Sequence, residues 1–117
     1  MKIIQKAFKV DNDKYYELHL QIVNSVLPVR LSEKELEVLS SFMALEKNII
    51  KIDNFNSFAR KQVKTKLGLT SAGLSNHLRS MIDKGFLSKD EMSGLITIKH
   101  FLIPEEDGQG YQFKIVK

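Results

Sequence analysis

The chain has 117 residues, of which 43% are hydrophobic and 27% are charged, a composition typical of one globular domain. It contains no cysteine, which excludes a disulfide framework and thiolate metal sites. No apolar run approaches the about 20 residues of a membrane-spanning helix, and lysine and glutamine interrupt the start of the chain, unlike a secretory signal. The sequence therefore predicts a single intracellular domain over residues 1–117.

The net charge of +4 is unevenly distributed. Residues 55–89 carry seven bases and one acid, whereas residues 31–54 and 90–117 each carry three bases and five acids. A local basic field attracts polyanions even when the whole protein is nearly neutral. The alternative interpretation is that these bases form a solvated surface without a binding role.

The first part of the chain is predicted to form a β-hairpin over residues 2–26. Its strands would be residues 2–10 and 15–23, joined by the turn residues Asp11, Asn12 and Asp13. The second strand alternates apolar Tyr16, Leu18, Leu20 and Ile22 with polar residues. The same segment also places apolar residues at helical spacing, so a helix remains the alternative; these residues are Tyr15, Leu18, Ile22 and Val26.

Two amphipathic helices are predicted next. Ser32, followed by Glu35, forms a capping box for a helix that ends near residue 47. Its buried stripe comprises Leu36, Leu39, Phe42 and Met43. Residues 49–52 are a short β-prone piece, and a second helix covers residues 57–67 until Gly68 ends it. This second helix is expected to bury Phe58 and Val63 and to present Arg60, Lys61, Lys64 and Lys66.

A third helix begins at Thr70 or Ser71 and continues to about residue 84, before Gly85. Its inward stripe comprises Leu74, Leu78, Met81 and Ile82, and its opposite face comprises Ser71, Ala72, Ser75, Asn76 and Arg79. His77 lies next to the buried stripe, which favours a packing role. Gly73 favours close packing against the preceding helix.

The remaining chain is predicted to be β-rich. Residues 86–88 and 95–103 would form two strands around a turn at residues 92–94, and Pro104 would end the second one. Residues 105–110 form an acidic, glycine-containing loop. Tyr111, Phe113 and Ile115 then alternate in a predicted C-terminal strand, residues 111–116.

Two stretches resemble bacterial winged helix-turn-helix regulators of the MarR and ArsR type. The stretch 63–70, VKTKLGLT, is similar to the helix and Leu-Gly-Leu-Ser turn of those proteins, and LSNHLR at 74–79 with DKGFL at 83–87 is similar to their recognition helix and its exit into the wing. The resemblance covers about residues 32–103. It implies an α+β fold, a three-helix core with a β-wing, to which the N-terminal hairpin and the C-terminal strand would be additions.

The resemblance also implies binding to double-stranded DNA, as in a transcription regulator. A recognition helix offers short polar side chains to base edges while an apolar stripe holds it from behind. Asn76 would pair with adenine, Arg79 with guanine or phosphate, and Ser71 and Ser75 with either. The complete set of expected DNA contacts is Arg60, Lys61, Lys64, Lys66, Thr70, Ser71, Ser75, Asn76, Arg79 and Lys89.

The predicted wing departs from this pattern. Wings that enter the minor groove usually carry basic residues, but the tip here contains Asp90 and Glu91, which phosphate would repel. The alternative function is therefore a structural or assembly module, such as a phage virion, packaging or replication component, that acts through protein contacts.

No catalytic motif, metal-ligand spacing or cofactor motif is found, so an enzyme is not expected. His19, His77 and His100 lie on different predicted elements. The expected partners are double-stranded DNA and, through the terminal strands, a second copy or a larger assembly. The expected location is the cytoplasm, or the virion under the alternative.

Overall fold

The computed structural model describes residues 2–45 and 53–117. In chain order these form helices α1 (Asn12–Asn24), α2 (Glu33–Met43), α3 (Ser57–Leu67) and α4 (Ser71–Asp83), strands β1 (Leu87–Lys89) and β2 (Ile96–Ile98), and a 3₁₀ turn at His100–Leu102. The two strands are antiparallel, and Ser88 pairs with Thr97 at the centre of the register. Four helices with a small antiparallel sheet make an α+β fold whose element order is compatible with a winged helix.

The predicted β-hairpin over residues 2–26 is wrong, because residues 12–24 form α1. The side chain of Asp11 accepts a hydrogen bond from the backbone N–H of Lys14 at 2.8 Å, so Asp11 caps α1, and Asn12 and Asp13 are its first two residues. The alternative of a helix is confirmed, but its inward face is rotated by about one residue. Tyr16, Leu20, Val23 and Leu27 contact the core.

Residues 2–10 are exposed and have no regular secondary structure. Once residues 12–24 are helical, this segment has no second strand with which to pair, and a lone strand leaves its backbone groups unpaired. The predicted C-terminal strand, residues 111–116, is wrong for the same reason, since this exposed segment has no regular structure.

The remaining element predictions are largely confirmed. Ser32 and Glu35 form the capping box of α2, whose stripe of Leu36, Leu39, Phe42 and Met43 is buried. Helix α2 ends at Met43, earlier than predicted, and the predicted β-prone piece at 49–52 lies outside the described residues. Strand β2 ends at Ile98 because the following 3₁₀ turn carries Leu102 into the core, where it is fully buried.

Helix α2 lies at the centre of the packing. It contacts α1, α3 and α4, and α4 in turn contacts β1. Phe42 of α2 meets Phe55, just before α3, with ring centroids 4.6 Å apart. The core formed around α2 holds the α3–turn–α4 unit in a fixed position.

Candidate nucleic-acid interface

Helix α4 separates an apolar face from a polar one. The side chain of its N-cap, Thr70, accepts a hydrogen bond from the backbone N–H of Gly73 at 3.0 Å. The inward residues Leu74, Leu78 and Met81 are each at most 2% exposed, and Ile82 is half-buried against the core. The exposed outward residues are Ser71, Ala72, Ser75, Asn76 and Arg79. The predicted division of this helix is confirmed.

Two side predictions for α4 have different outcomes. A methyl group at Gly73 would lie 3.1 Å from Oγ1 of Thr70, the helix's own cap, and no atom of another helix is among its near neighbours. The close approach thus serves the cap and not the predicted packing of two helices. His77 is half-buried, as its position beside the stripe predicts.

Helix α3 precedes α4 across a tight turn. Asn56 caps its start by accepting a hydrogen bond from the N–H of Ala59 at 2.8 Å. Gly68 ends it with φ of 65°, in the left-handed region where glycine avoids the strain of a Cβ. Val63 is buried as predicted, but Phe58 is 56% exposed. Ala59 takes the inward position because it lies one helical turn before Val63.

Lys64 joins the two helices. Its Nζ donates a hydrogen bond to Oγ of Ser71, the first residue of α4, at 2.9 Å. Lys61 lies one turn before Lys64 and is exposed. Lys64 therefore lies beside the start of the polar face of α4, and Lys61 lies on the same side of α3 as Lys64.

The other predicted bases of α3 are engaged elsewhere. Lys66 is directed towards α1, where its Nζ lies 3.6 Å from a carboxylate oxygen of Asp13. The guanidinium of half-buried Arg60 donates from Nε to the carbonyl of Phe55 at 2.8 Å. The structure thus brings Lys64 into contact with α4, whereas Lys66 pairs with α1.

The β1–β2 hairpin, which the sequence predicts to be a wing, carries one exposed base and a structural acid. Lys89 is exposed at the end of β1. The carboxylate of Asp90 accepts hydrogen bonds from Oγ of Ser93 at 2.8 Å and from the N–H of Met92 at 3.3 Å. The Ser93 hydroxyl, with the Met92 N–H, lowers the pKa of Asp90. One of the two acids at the tip is therefore occupied in shaping the turn, which leaves Glu91 as the exposed acid without that role.

A buried ion pair fixes the far end of α4, and sequence reasoning missed it. Nζ of Lys84 lies 2.6 Å from Oε1 of Glu35, whose side chain is 3% exposed. Burial alone would raise the pKa of Glu35, but the hydrogen bonds from Lys84 and from the backbone N–H of Ser32 outweigh it and lower the pKa to about 2. Lys84 also donates to the carbonyl of Arg30 at 3.1 Å. The capping box was the only local signal that Glu35 had a structural role.

A second cluster that sequence reasoning missed connects the chain after β2 to α1. His19 is buried, and its Nε2 lies 2.9 Å from the carbonyl of Leu102. Its Nδ1 meets the hydroxyl of Tyr111, and Tyr15 donates to the carbonyl of Glu105. Burial lowers the pKa of His19, although the Leu102 carbonyl opposes that shift. The neutral ring thus donates from Nε2 and accepts at Nδ1.

Two further properties concern residues 2–45 and 53–117 alone. They contain no group of three or more histidine, cysteine or acidic residues that could hold a metal ion. None of their helices has the length and apolar character needed to cross a membrane.

Comparisons with family models, with curated proteins and with solved structures find no match.

Proposed function

We propose that this protein is a non-enzymatic winged-helix protein that binds double-stranded DNA and regulates transcription in the cytoplasm. One observation carries the proposal. The polar face of α4 is exposed, its apolar face is held by the core, and Lys64 connects its first residue to a basic helix. In this arrangement α4 enters the major groove, and the bases beside it contact phosphates.

The proposal assigns the phosphate contacts to Lys61, Lys64, Arg79 and Lys89. It is supported by the exposure of Lys61, Arg79 and Lys89, whereas Lys84 is paired with Glu35 inside the protein. Asn76 and the serines of α4 have the short side chains that read base edges. Oγ1 of Thr70 continues to cap α4, while its hydroxyl group donates a hydrogen bond to a phosphate oxygen.

The test is fluorescence anisotropy of the full chain with random duplex DNA over a series of salt concentrations. Four phosphate contacts give a slope of about −3.6 in log K against log salt concentration. Lys61→Ala should reduce the magnitude of the slope by about 1 on every duplex. Lys34→Ala is the matched control, because Lys34 lies on α2 and forms an exposed pair with Glu37 at 3.4 Å. An affinity independent of salt, or an equal effect of the control, contradicts the proposal.

Base reading needs a separate measurement. After a preferred site has been selected from a random duplex pool, Asn76→Ala should reduce the discrimination between that site and random DNA by about 1–3 kcal/mol. Lys61→Ala should leave the discrimination unchanged. If both variants act alike on the two duplexes, α4 does not read bases.

The second candidate function is a structural or assembly module, for which the location would be a virion or a replication complex. The observation in its favour is the exposure of large apolar side chains, among them Ile4 at 88% and Ile115 at 97%. Such side chains mark protein contacts more often than contacts with nucleic acid. A chain that forms a defined assembly and shows no salt-dependent binding to DNA supports this candidate.

A further inference from the structure

The segment 2–10, here called the arm, combines apolar and basic residues. Ile3, Ile4 and Phe8 are 59%, 88% and 79% exposed. Lys6 lies between Ile4 and Phe8, Lys2 and Lys9 flank the three apolar residues, and the arm contains no acid. Among the described residues the arm makes no backbone hydrogen bond. A segment with unpaired backbone and exposed apolar side chains is suited to docking on another surface.

A groove of opposite charge lies between α1 and α2. Its volume is about 530 Å³, and three carboxylates, those of Glu17, Glu33 and Glu37, line it together with Leu31 and Leu36. Two of these acids already have partners, since Glu17 lies 3.6 Å from Lys14 and Glu37 lies 3.4 Å from Lys34. Both pairs are exposed, so they are weak and exchange partners readily.

A loop with exposed apolar side chains adjoins one end of this groove. Asn24 and Leu31, which both line it, are joined by two hydrogen bonds of 3.1 and 2.7 Å that close the loop between α1 and α2. That loop exposes Val26 by 64% and Val29 by 51%. The groove supplies negative charge and the loop supplies apolar surface, the two features that the arm complements.

We propose that the arm of one copy of this chain binds in the α1–α2 groove of a second copy, and that the exchange is reciprocal. When fully extended, nine residues span about 30 Å, more than the about 20 Å length of α1, so the arm can cross a two-fold axis and fill the groove. In its own chain every residue of the arm is exposed, and none of them lines the groove. The carboxylates repel nucleic acid, which excludes DNA as the occupant.

This inference does not depend on the proposed DNA binding, because the dimer is measured without DNA. Sedimentation velocity of the full chain should show a concentration-dependent dimer that high salt weakens. The arm variant Lys6→Glu/Lys9→Glu and the groove variant Glu33→Lys/Glu37→Lys should each place like charges in both contacts and weaken the dimer by roughly tenfold or more. An equal mixture should restore it, since each arm then meets a groove of opposite charge.

Three results would overturn the proposal. These are a monomer at all concentrations up to about 100 μM, a dimer that either variant leaves unchanged, and a mixture that stays monomeric although both variants keep their helical circular dichroism. A monomer in which the arm fills its own groove is covered by the first result.

Cross-linking gives a second measurement that needs no charge reversal. The chain has no cysteine, so Phe8→Cys in one chain and Val29→Cys in another introduce a single defined pair. Oxidation of the mixture should form a disulfide-linked heterodimer in preference to either homodimer. Ile115→Cys mixed with Val29→Cys is the matched control, because Ile115 is at least as exposed as Phe8, at 97% against 79%, but lies outside the arm. Equal yields from the two mixtures would contradict the docking of the arm.

Discussion

Nζ of Lys84 lies 2.6 Å from Oε1 of Glu35, and the same oxygen accepts the backbone N–H of Ser32 at 2.7 Å. One carboxylate oxygen therefore joins the start of α2 to the chain just after α4. Because the carboxylate is buried, its negative charge needs the positive charge of this lysine to offset the loss of solvation.

Lys84→Met should destabilise the fold by about 2 kcal/mol, since it leaves a buried carboxylate without its counter-charge. Chemical denaturation of the variant measures this. Glu35→Gln/Lys84→Met should recover most of the loss, because glutamine keeps the capping box without the charge. Lys34→Met, which breaks an exposed pair, should change stability by less than about 0.5 kcal/mol. A double variant no more stable than Lys84→Met would show that packing of the lysine, and not the ion pair, is responsible.

The same pair predicts a dependence on acid. The pKa of Glu35 is lowered from 4.5 to about 2 in the folded protein, so its contribution to stability is complete above about pH 4.5 and is lost as the pH falls towards 2. Glu35→Gln should flatten the dependence of the free energy of unfolding on pH in this window. Denaturation curves at several pH values test it, and an unchanged dependence would count against the pair.

His19 predicts a second dependence on pH, at higher values. Burial lowers its pKa below 6.5 in the fold, so stability from the neutral ring is present above about pH 6.5 and declines as the pH falls below it. His19→Gln should remove this decline, whereas His100→Gln, at an exposed position, should not. Tyr111→Phe should cost about 1 kcal/mol by removing one hydrogen bond. Titration of the histidine ring signals by NMR measures the pKa directly.

The turn between α3 and α4 predicts a cost for one added methyl group. Gly68→Ala should destabilise the fold by about 1 kcal/mol, because alanine is strained at φ of 65° although nothing lies within 4 Å of the added Cβ. Gly110→Ala is the control, since its surroundings are equally open and its φ lies outside the left-handed region. Equal thermal midpoints for the two variants would contradict this account.

The wing tip predicts different outcomes for its two acids. Glu91→Lys should tighten binding to duplex DNA and steepen the salt slope by about 1 if the wing reaches the phosphates. Asp90→Ala should instead alter the tip, because it removes the acceptor of the hydrogen bonds from Ser93 and Met92. NMR chemical shifts of residues 91–94 in the two variants distinguish these effects. Unchanged DNA affinity for Glu91→Lys would place the wing away from the duplex.

Sequence reasoning succeeded where the signals are local. The caps at Ser32, Thr70 and Gly68 and the apolar stripe of α4 each lie within one element, so a short window contains the complete pattern. The stripe also fixed which face of α4 is exposed, and with it most of the candidate interface.

The predictions that were wrong, and the contacts that were missed, also have physical causes. Alternating and helical spacing coincide in residues 15–23, and Asp11 suits both a turn and a helix cap, so α1 could not be distinguished from a strand. A strand also needs a partner, which the patterns at residues 2–10 and 111–116 could not reveal. Glu35 and Lys84 are 49 residues apart, a contact that no local pattern contains.

The bond between His19 and Leu102 joins residues 83 positions apart. During synthesis, α1 therefore leaves the ribosome long before the carbonyl that completes its buried histidine. Until then the ring nitrogens of His19 hydrogen-bond to water, and this face of α1 is exposed to solvent. The α2–α4 core can form earlier from nearer contacts, and the docking of the chain around Leu102 closes the domain last.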